Sequence, residues 1–203
     1  MKKIIMMAVM AVAALSANAQ QEQGTFSLQP KAGLSVSSLS GDGWKAKAGF
    51  TAGVEGMYQA TEKFGVSAAV MYSMQGAKVK QDVVNSLLAA YGFGSTTQSV
   101  KVNYGYINIP ILANYYVVKG LAVKAGIQPG FLVSANGKAG DTSVKVKEYC
   151  NKFDFTIPVG VSYEIANVVF DARYNFGLTK TIKNVEKNKN GVFQFTVGYK
   201  FGL

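Results

Sequence analysis

The feature that most constrains this chain is a strict alternation of side chains, which is clearest in its last segment, GVFQFTVGYKFGL (191–203). Large apolar side chains occupy every second position, and small or polar side chains lie between them. A period of two is typical of a β-strand with one apolar and one polar face. Because chain ends fray unless they are tied down, the alternation predicts that this terminal strand is paired.

The same alternation recurs in seven earlier segments, so the sequence predicts eight strands. They lie at 25–37, 47–60, 64–75, 100–117, 121–134, 153–165, 168–178 and 191–203. Tight turns at 60–63, 118–120 and 164–167 alternate with long links near 38–46, 77–98, 135–152 and 179–190. This order predicts an all-β fold, an eight-stranded antiparallel up-and-down barrel with four long loops at one end, in which the last strand pairs with the first.

The fourth predicted strand contains a change of phase. Val102, Tyr104 and Tyr106 share one parity, whereas the apolar residues from Ile107 to Val117 share the other. A change of this kind predicts a β-bulge within the strand, because a bulge re-aims the side chains that follow it. It would place Tyr104 and Tyr106 on the apolar face.

The apolar face is predicted to point outward, toward lipid. It carries most of the aromatic residues, and the lumen of eight strands is too narrow to hold them. The opposite face is rich in glycine, which suits a cramped interior. With the phase change allowed, the apolar face carries no charged residue, as expected where a lipid-facing Arg or Lys costs roughly 2–4 kcal/mol at the midplane. A soluble barrel that binds a ligand is the alternative.

The first residues have the pattern of a secretory signal peptide. MKKIIMMAVMAVAALSANA (1–19) has a basic start, an apolar middle and small residues at a cleavage site. The alternative is an amino-terminal membrane anchor. We expect a signal peptide at 1–19 and one barrel domain at 20–203, exported through the Sec pathway to the outer membrane of a Gram-negative bacterium. An even number of strands would leave both termini in the periplasm and the long loops outside.

Composition restricts the chemistry that is available to the chain. There is no histidine and only one cysteine, Cys150, so histidine-dependent nucleophiles, imidazole metal sites and an internal disulfide are excluded. We predict no cofactor, no metal and no catalytic residue. The net charge is +10, or +8 without Lys2 and Lys3. For an exported protein, this charge favours anionic lipid over nucleic acid as a partner.

Four segments resemble a known family. They are AGFTAGVEGMYQATEKFGVSAAVMYSMQGAK (48–78), YINIPILANYY (106–116), LAVKAGIQPGFLVSA (121–135) and FDARYNFGLTK (170–180). In these segments and their order, the chain resembles the small outer-membrane β-barrel proteins of the Bacteroidetes, the PorT-like or porin family. The resemblance implies the fold and the location more than an activity, although the founding members belong to a secretion apparatus.

The polar face carries charges on the first, second, seventh and eighth strands, which adjoin one another once the barrel is closed. These residues are Lys31, Glu55, Asp171, Arg173 and Lys200. They could form an ion or proton path, or a catalytic carboxylate could lie among them. The favoured interpretation is a buried ion-pair network that fills and rigidifies the lumen.

The long loops have two further features. The segment QDVVNSLLAAYGFG (81–94) has apolar residues at helical spacing with Asp82 at its start, which predicts a short amphipathic helix that either meets a partner or the outer leaflet, or covers the barrel mouth. The loops also carry a basic surface, which consists of Lys138, Lys145, Lys147, Lys183, Lys187 and Lys189. This surface is either simply solvated or attracts the phosphate groups of lipopolysaccharide.

These features predict a plugged outer-membrane barrel that is not an enzyme and has a structural or interaction role at the cell surface. The expected partners are outer-membrane lipid, lipopolysaccharide and a protein that meets the extracellular loops, but not nucleic acid. The first alternative is a narrow pore or a component of a transport or secretion machine. An outer-membrane enzyme acting on lipid or peptide is the second.

Overall fold

A computed structural model of the chain describes residues 23–41, 43–91, 94, 100–139, 142–181 and 189–203. The predicted signal segment, Lys183 and Lys187 lie outside these ranges. The strands are β1 (Phe26–Leu39), β2 (Trp44–Gln59), β3 (Phe64–Val79), β4 (Val100–Asn108), β5 (Ile111–Val118), β6 (Leu121–Ala139), β7 (Thr142–Lys145), β8 (Phe153–Ile165), β9 (Val168–Lys180), β10 (Lys189–Tyr199) and β11 (Phe201–Gly202). A helix, α1 (Gln81–Ala90), follows β3, and a 3₁₀ turn spans Lys147–Tyr149.

The strands close into an antiparallel ring with eight positions. β1 pairs with β2 on one side and with β10 on the other, through nine residue pairs from Lys31↔Gly198 to Leu39↔Asn190. β4 and β5 share one position between β3 and β6, and β11 continues β10 along β1. β7 folds back on β6. The predicted pairing of the last strand with the first is therefore present.

Prolines account for the two interrupted positions. Pro110 lies between β4 and β5, and Pro30 lies in β1 where the partner strand is divided into β10 and β11. Because proline has no backbone N–H, it removes a ladder hydrogen bond and is tolerated where pairing is interrupted. Next to the second interruption, the backbone N–H of Lys200 donates to the carbonyl of Asn167, which continues the pairing of β10 with β9.

The lengths of the links between strands distinguish the two ends of the barrel. At the end that we call the turn end, short links connect β2 to β3, β5 to β6 and β8 to β9, and Gly120 in the second of them adopts φ 78°, a left-handed conformation that suits glycine. The opposite end, the loop end, carries the links from β1 to β2, β3 to β4, β6 through β7 to β8, and β9 to β10. The first of these is shorter than predicted, because β1 continues to Leu39 and β2 begins at Trp44.

The helix α1 lies in the link between β3 and β4 and confirms the helical spacing of that segment. It begins at Gln81, so Asp82 lies within its first turn instead of capping it. An acidic side chain in this position favours the helix through the helix dipole. No helix within the described ranges is long and apolar enough to cross a membrane.

Burial separates the two faces of the ring as predicted. Leu34 and Val70 on the outer face are 64% and 60% exposed, whereas Ser35, Thr51 and Ser73 on the inner face are 0% exposed. Most large apolar side chains of the strands point outward and most polar ones point inward. A soluble barrel has the reverse arrangement, so the soluble alternative does not fit this distribution.

The predicted change of phase at Ile107 is wrong. Tyr104 and Tyr106 are each 1% exposed and lie inside the barrel, on the same face as Asn108 and Leu112. The irregularity is instead on the neighbouring β6, where the pairing shifts from Gly105↔Ser134 to Tyr106↔Leu132. The extra residue of β6 forms the bulge. Tyrosine is compatible with either face because it has an apolar ring and a polar tip.

Candidate functional site in the barrel lumen

The middle of the lumen contains five charged side chains that are almost completely buried. They are Lys31 of β1, Glu55 of β2, Lys124 of β6, and Asp171 and Arg173 of β9. Alternation along each strand turns all five inward. We call this group the lumen cluster.

Two lysines share two carboxylates in the lumen cluster. Lys31 Nζ lies 2.8 Å from Glu55 Oε2 and 3.9 Å from Asp171 Oδ2. Lys124 Nζ lies 3.3 Å from Glu55 Oε1 and 2.7 Å from Asp171 Oδ2. Lys124 therefore reaches across the lumen, because it contacts strands β2 and β9, neither of which adjoins β6 in the ring.

Arg173 extends the cluster toward β10. Its Nε donates a hydrogen bond of 3.0 Å to Gln194 Oε1 and lies 3.9 Å from Asp171 Oδ1. Gln194 in turn donates from Nε2 to Ser73 Oγ on β3, at 3.1 Å. A chain of polar contacts thus crosses the barrel from β9 through β10 to β3.

Glycines on the adjoining strands make room for these long side chains. Gly53 and Gly198 are the cross-strand neighbours of Lys31, and Gly160 lies between Lys124 and Arg173. A Cβ at Gly160 would lie 2.7 Å from the Arg173 Cα, and a Cβ at Gly198 would lie 2.9 Å from the Lys31 Cβ. The inner-face glycines therefore belong to the site, because larger residues would collide with its backbone and side chains.

Layers above and below the lumen cluster fill the rest of the barrel. Toward the turn end, Lys200 pairs with Glu164, and the cavity between this pair and the cluster is only about 10 Å³. Toward the loop end, Gln75 accepts a hydrogen bond from Asn190. An apolar group adjoins this pair, since Leu39 is the cross-strand partner of Asn190 and Tyr104 that of Gln75. The group also includes Tyr106, Leu132 and the thiol of Cys150, with Trp44 packed against it.

The structure brings together four of the five charges that the sequence singled out. Lys31, Glu55, Asp171 and Arg173 are in contact, but Lys200 lies apart in its pair with Glu164. The sequence prediction missed Lys124 because it considered only adjoining strands. The signal was present, because Lys124 has inward parity and eight strands leave a lumen narrow enough for contacts across it.

The lumen cluster consists of buried cations paired with buried carboxylates. Both carboxylates are engaged by lysines, and burying such ions is tolerable only when they are paired and hydrogen-bonded. Within the part of the chain that the structure describes, no group of three or more histidine, cysteine, aspartate or glutamate residues could hold a metal ion. The arrangement can rigidify the lumen and oppose the passage of ions.

The predicted basic surface is divided between two sides of the loop end. Lys138 and Lys145 lie on β6 and β7. Lys147 lies in the 3₁₀ turn, and its Nζ donates to the carbonyl of Val133 at 2.9 Å. Lys189 lies on β10 opposite Lys180 of β9, away from the others.

A closed ring with an apolar outer face and a polar, charged interior is the architecture of a transmembrane β-barrel, because closure satisfies every strand edge inside lipid. Residues 18–183 match the family described as "Outer membrane protein beta-barrel domain". The chain belongs to this family, which places it in the bacterial outer membrane.

Several solved structures are similar to this chain, and the first named here supports the fold. Neisserial surface protein A is 17% identical with a TM-score of 0.54, over 87% of this chain and 97% of that chain. Ail, the attachment invasion locus protein of Yersinia pestis, is 18% identical with a TM-score of 0.49, over 88% and 99%. OprG from Pseudomonas aeruginosa is 14% identical with a TM-score of 0.40, over 90% and 98%. No curated protein matches the chain.

Proposed function

We propose that this protein is a plugged outer-membrane barrel with a structural or interaction role at the cell surface, and that it is not an enzyme. The observation that carries the proposal is the position of Lys124, whose amine bridges Glu55 and Asp171 across the lumen. An ion entering the barrel would have to break these pairs.

The layers on either side support a closed lumen. The space on the turn side of the lumen cluster holds about one water molecule, since a cavity needs roughly 10–15 Å³ for one. On the loop side, the buried rings of Tyr104 and Tyr106 lie in an apolar layer that charged solutes would enter at a cost. Three different barriers are therefore stacked along one axis.

Planar-bilayer recording tests this proposal. The purified barrel, shown to be folded by its heat-modifiable mobility on gels, should give no steady conductance, whereas a known open porin inserted under the same conditions should conduct. A steady, ion-selective conductance from the unmodified protein would overturn the plug. It would support the alternative, a narrow pore or a component of a transport or secretion machine.

The finer assignments belong to the same proposal. The segments YINIPILANYY and FDARYNFGLTK support membership of the PorT-like branch of the Bacteroidetes. The basic start and small-residue site at 1–19 support export through the Sec pathway. The even number of ring positions supports periplasmic termini and extracellular loops, through which a protein partner would bind. Crosslinking on intact cells followed by pull-down would identify such a partner.

A further inference from the structure

Four lysines lie side by side on four neighbouring strands near the loop end. Lys45 of β2 is the cross-strand partner of Lys78 of β3, Lys78 is the partner of Lys101 of β4, and Lys101 is the partner of Lys138 of β6. We call this set the lysine row. Lys138 belongs to the basic surface that the sequence predicted.

The lysine row lies on the outer face of the barrel. Its neighbours along the strands point inward, since Ala77 is fully buried and Val102 packs against the apolar layer of the lumen. Alternation then turns Lys78 and Lys101 outward. On β6 the bulge near Val133 reverses the parity, so that Ala135 points inward and Lys138 outward. Without this bulge, the row would end at β4.

Such an arrangement is unfavourable by itself. Like charges directly opposite one another on adjacent strands repel and destabilise a sheet. Among the described residues, no ion pair includes any of the four lysines. Lys47 adds to the repulsion, because its charge interacts unfavourably with those of Lys101 and Lys78. The row therefore favours a ligand that supplies several negative charges in a small space.

Protection of a sheet edge does not account for the lysine row. Lysines often lie on edge strands, where they prevent pairing with other chains. β3 and β4, however, are paired on both sides within the ring. Here the charges face outward from the middle of a continuous sheet.

A groove leads from the lipid-facing surface to Lys138, the member of the lysine row on β6. Its volume is about 290 Å³, and its lining includes Tyr72, Met74, Asn103, Ser134, Asn136 and Lys138. Along this groove the surface changes from apolar through amide and hydroxyl groups to ammonium. An amphipathic ligand with hydrocarbon at one end, sugar-like polar groups in the middle and anionic groups at the other matches this order.

The height of the row fits a lipid headgroup. With Tyr72, at the middle of β3, taken as the midplane of the membrane, Lys78 lies six residues away, about 20 Å along the strand at roughly 3.3 Å per residue. Strands tilted by about 40° reduce this to about 15 Å along the membrane normal. Lysine side chains reach back toward the membrane surface by snorkelling, so their amines lie at the level of the headgroups.

We propose that the lysine row and the groove below it bind the phosphate-bearing headgroup of the outer-leaflet glycolipid, lipopolysaccharide. The phosphates would lie against Lys78 and Lys101, the sugar against Asn103 and Asn136, and an acyl chain against Tyr72. In the cell this site rests on the proposed topology, in which the loop end faces outward. Basic pockets on membrane proteins bind anionic headgroups in this way.

The test uses the full barrel refolded in neutral detergent micelles, where membrane orientation plays no part. The unfolding temperature is followed by heat-modifiable mobility, with purified lipid A that carries its phosphates and with the same lipid after its phosphates are removed. Phosphorylated lipid A should raise the unfolding temperature by several degrees, and the dephosphorylated lipid should raise it by less than half as much.

Variants give the decisive comparison. The double variant Lys78→Gln, Lys101→Gln should unfold at the same or a higher temperature than the unmodified protein without lipid, because repulsion is relieved. With phosphorylated lipid A it should lose at least half of the rise. Lys119→Gln, an exposed lysine at the turn end, should keep the full rise. If the lysine row had only a structural role, the double variant would not combine unchanged or higher stability without lipid with a smaller rise in unfolding temperature with lipid A.

Three results would overturn the inference: equal rises with both lipids, equal losses in the double variant and in Lys119→Gln, or the same rise with a soluble anionic polysaccharide that has no acyl chain. The last of these would assign the row to a soluble polyanion. Binding in micelles combined with periplasmic labelling of the loop end would refute the proposed topology and leave the micelle result standing. A failure of lipid binding and a failure of the proposed topology therefore give different results.

Discussion

Lys124 joins its own strand, β6, to β2 and β9 across the lumen. Its amine contacts Glu55 of β2 and Asp171 of β9, and its own strand, β6, adjoins neither of them. Without its amine, Lys31 alone would face both carboxylates, and one of these contacts is already long, at 3.9 Å. The lumen cluster therefore depends on Lys124 more than on any of its other cations.

We predict that Lys124→Met destabilises the barrel by roughly 3–5 kcal/mol, because it removes the short contact to Asp171 and leaves that buried carboxylate with cations at 3.9 Å only. Adding Asp171→Asn should recover part of this loss, since it removes the weakly paired charge. The measurement is the midpoint of urea unfolding of the refolded barrel. Lys119→Met, at an exposed turn, should change stability by less than about 0.5 kcal/mol. A similar midpoint for both methionine variants would mean that the lumen charges contribute little.

At the scale of residues, the sequence predicts which side chains point inward but not which of them meet. Parity alone turns Lys31, Glu55, Asp171 and Arg173 into the lumen, and the structure places them together. The separate pairing of Lys200 with Glu164 depends on the stagger between strands. Stagger is set by bulges and prolines acting together around the ring, and no single segment of sequence contains that information.

At the scale of elements, strands and turns were predictable, and irregularities were not. The alternation on β1 and β8 is continuous, so these strands were located to within two residues. β4 and β6 were harder, because a bulge belongs to one strand of a pair and the sequence of β4 alone does not show that β6 carries it. The buried positions of Tyr104 and Tyr106 follow from that pairing.

The outward face of β10 permits a direct test of orientation. Val197→Arg should impair assembly, because an arginine facing hydrocarbon costs roughly 2–4 kcal/mol near the midplane. Ser162→Lys places the same kind of charge on the inner face of β8, next to Asp171, and should assemble better. Val197→Leu serves as the control for shape. The yield of heat-modifiable barrel in lipid vesicles is the readout, and equal yields from the two charged variants would contradict the assigned faces.

At the scale of the whole molecule, the orientation in the membrane can be tested with single cysteines. In a Cys150→Ser background, Ser143→Cys at the loop end should react with a membrane-impermeant maleimide on intact cells. Thr61→Cys at the turn end should react only after the outer membrane is opened. Both positions are exposed, so protein packing does not limit either reaction. Labelling in the opposite order would reverse the topology.

The pairing of β1 with β10 also limits the route by which the barrel can enter a bilayer. An open sheet would present two rows of unpaired backbone groups to hydrocarbon, each at a cost of several kcal/mol, and nine residue pairs form that junction. Entry and closure therefore belong to one kinetic event, which has to wait for β10 to be exported. Until then, the emerging chain has no stable place in the membrane, and its exposed apolar side chains require shielding by other molecules.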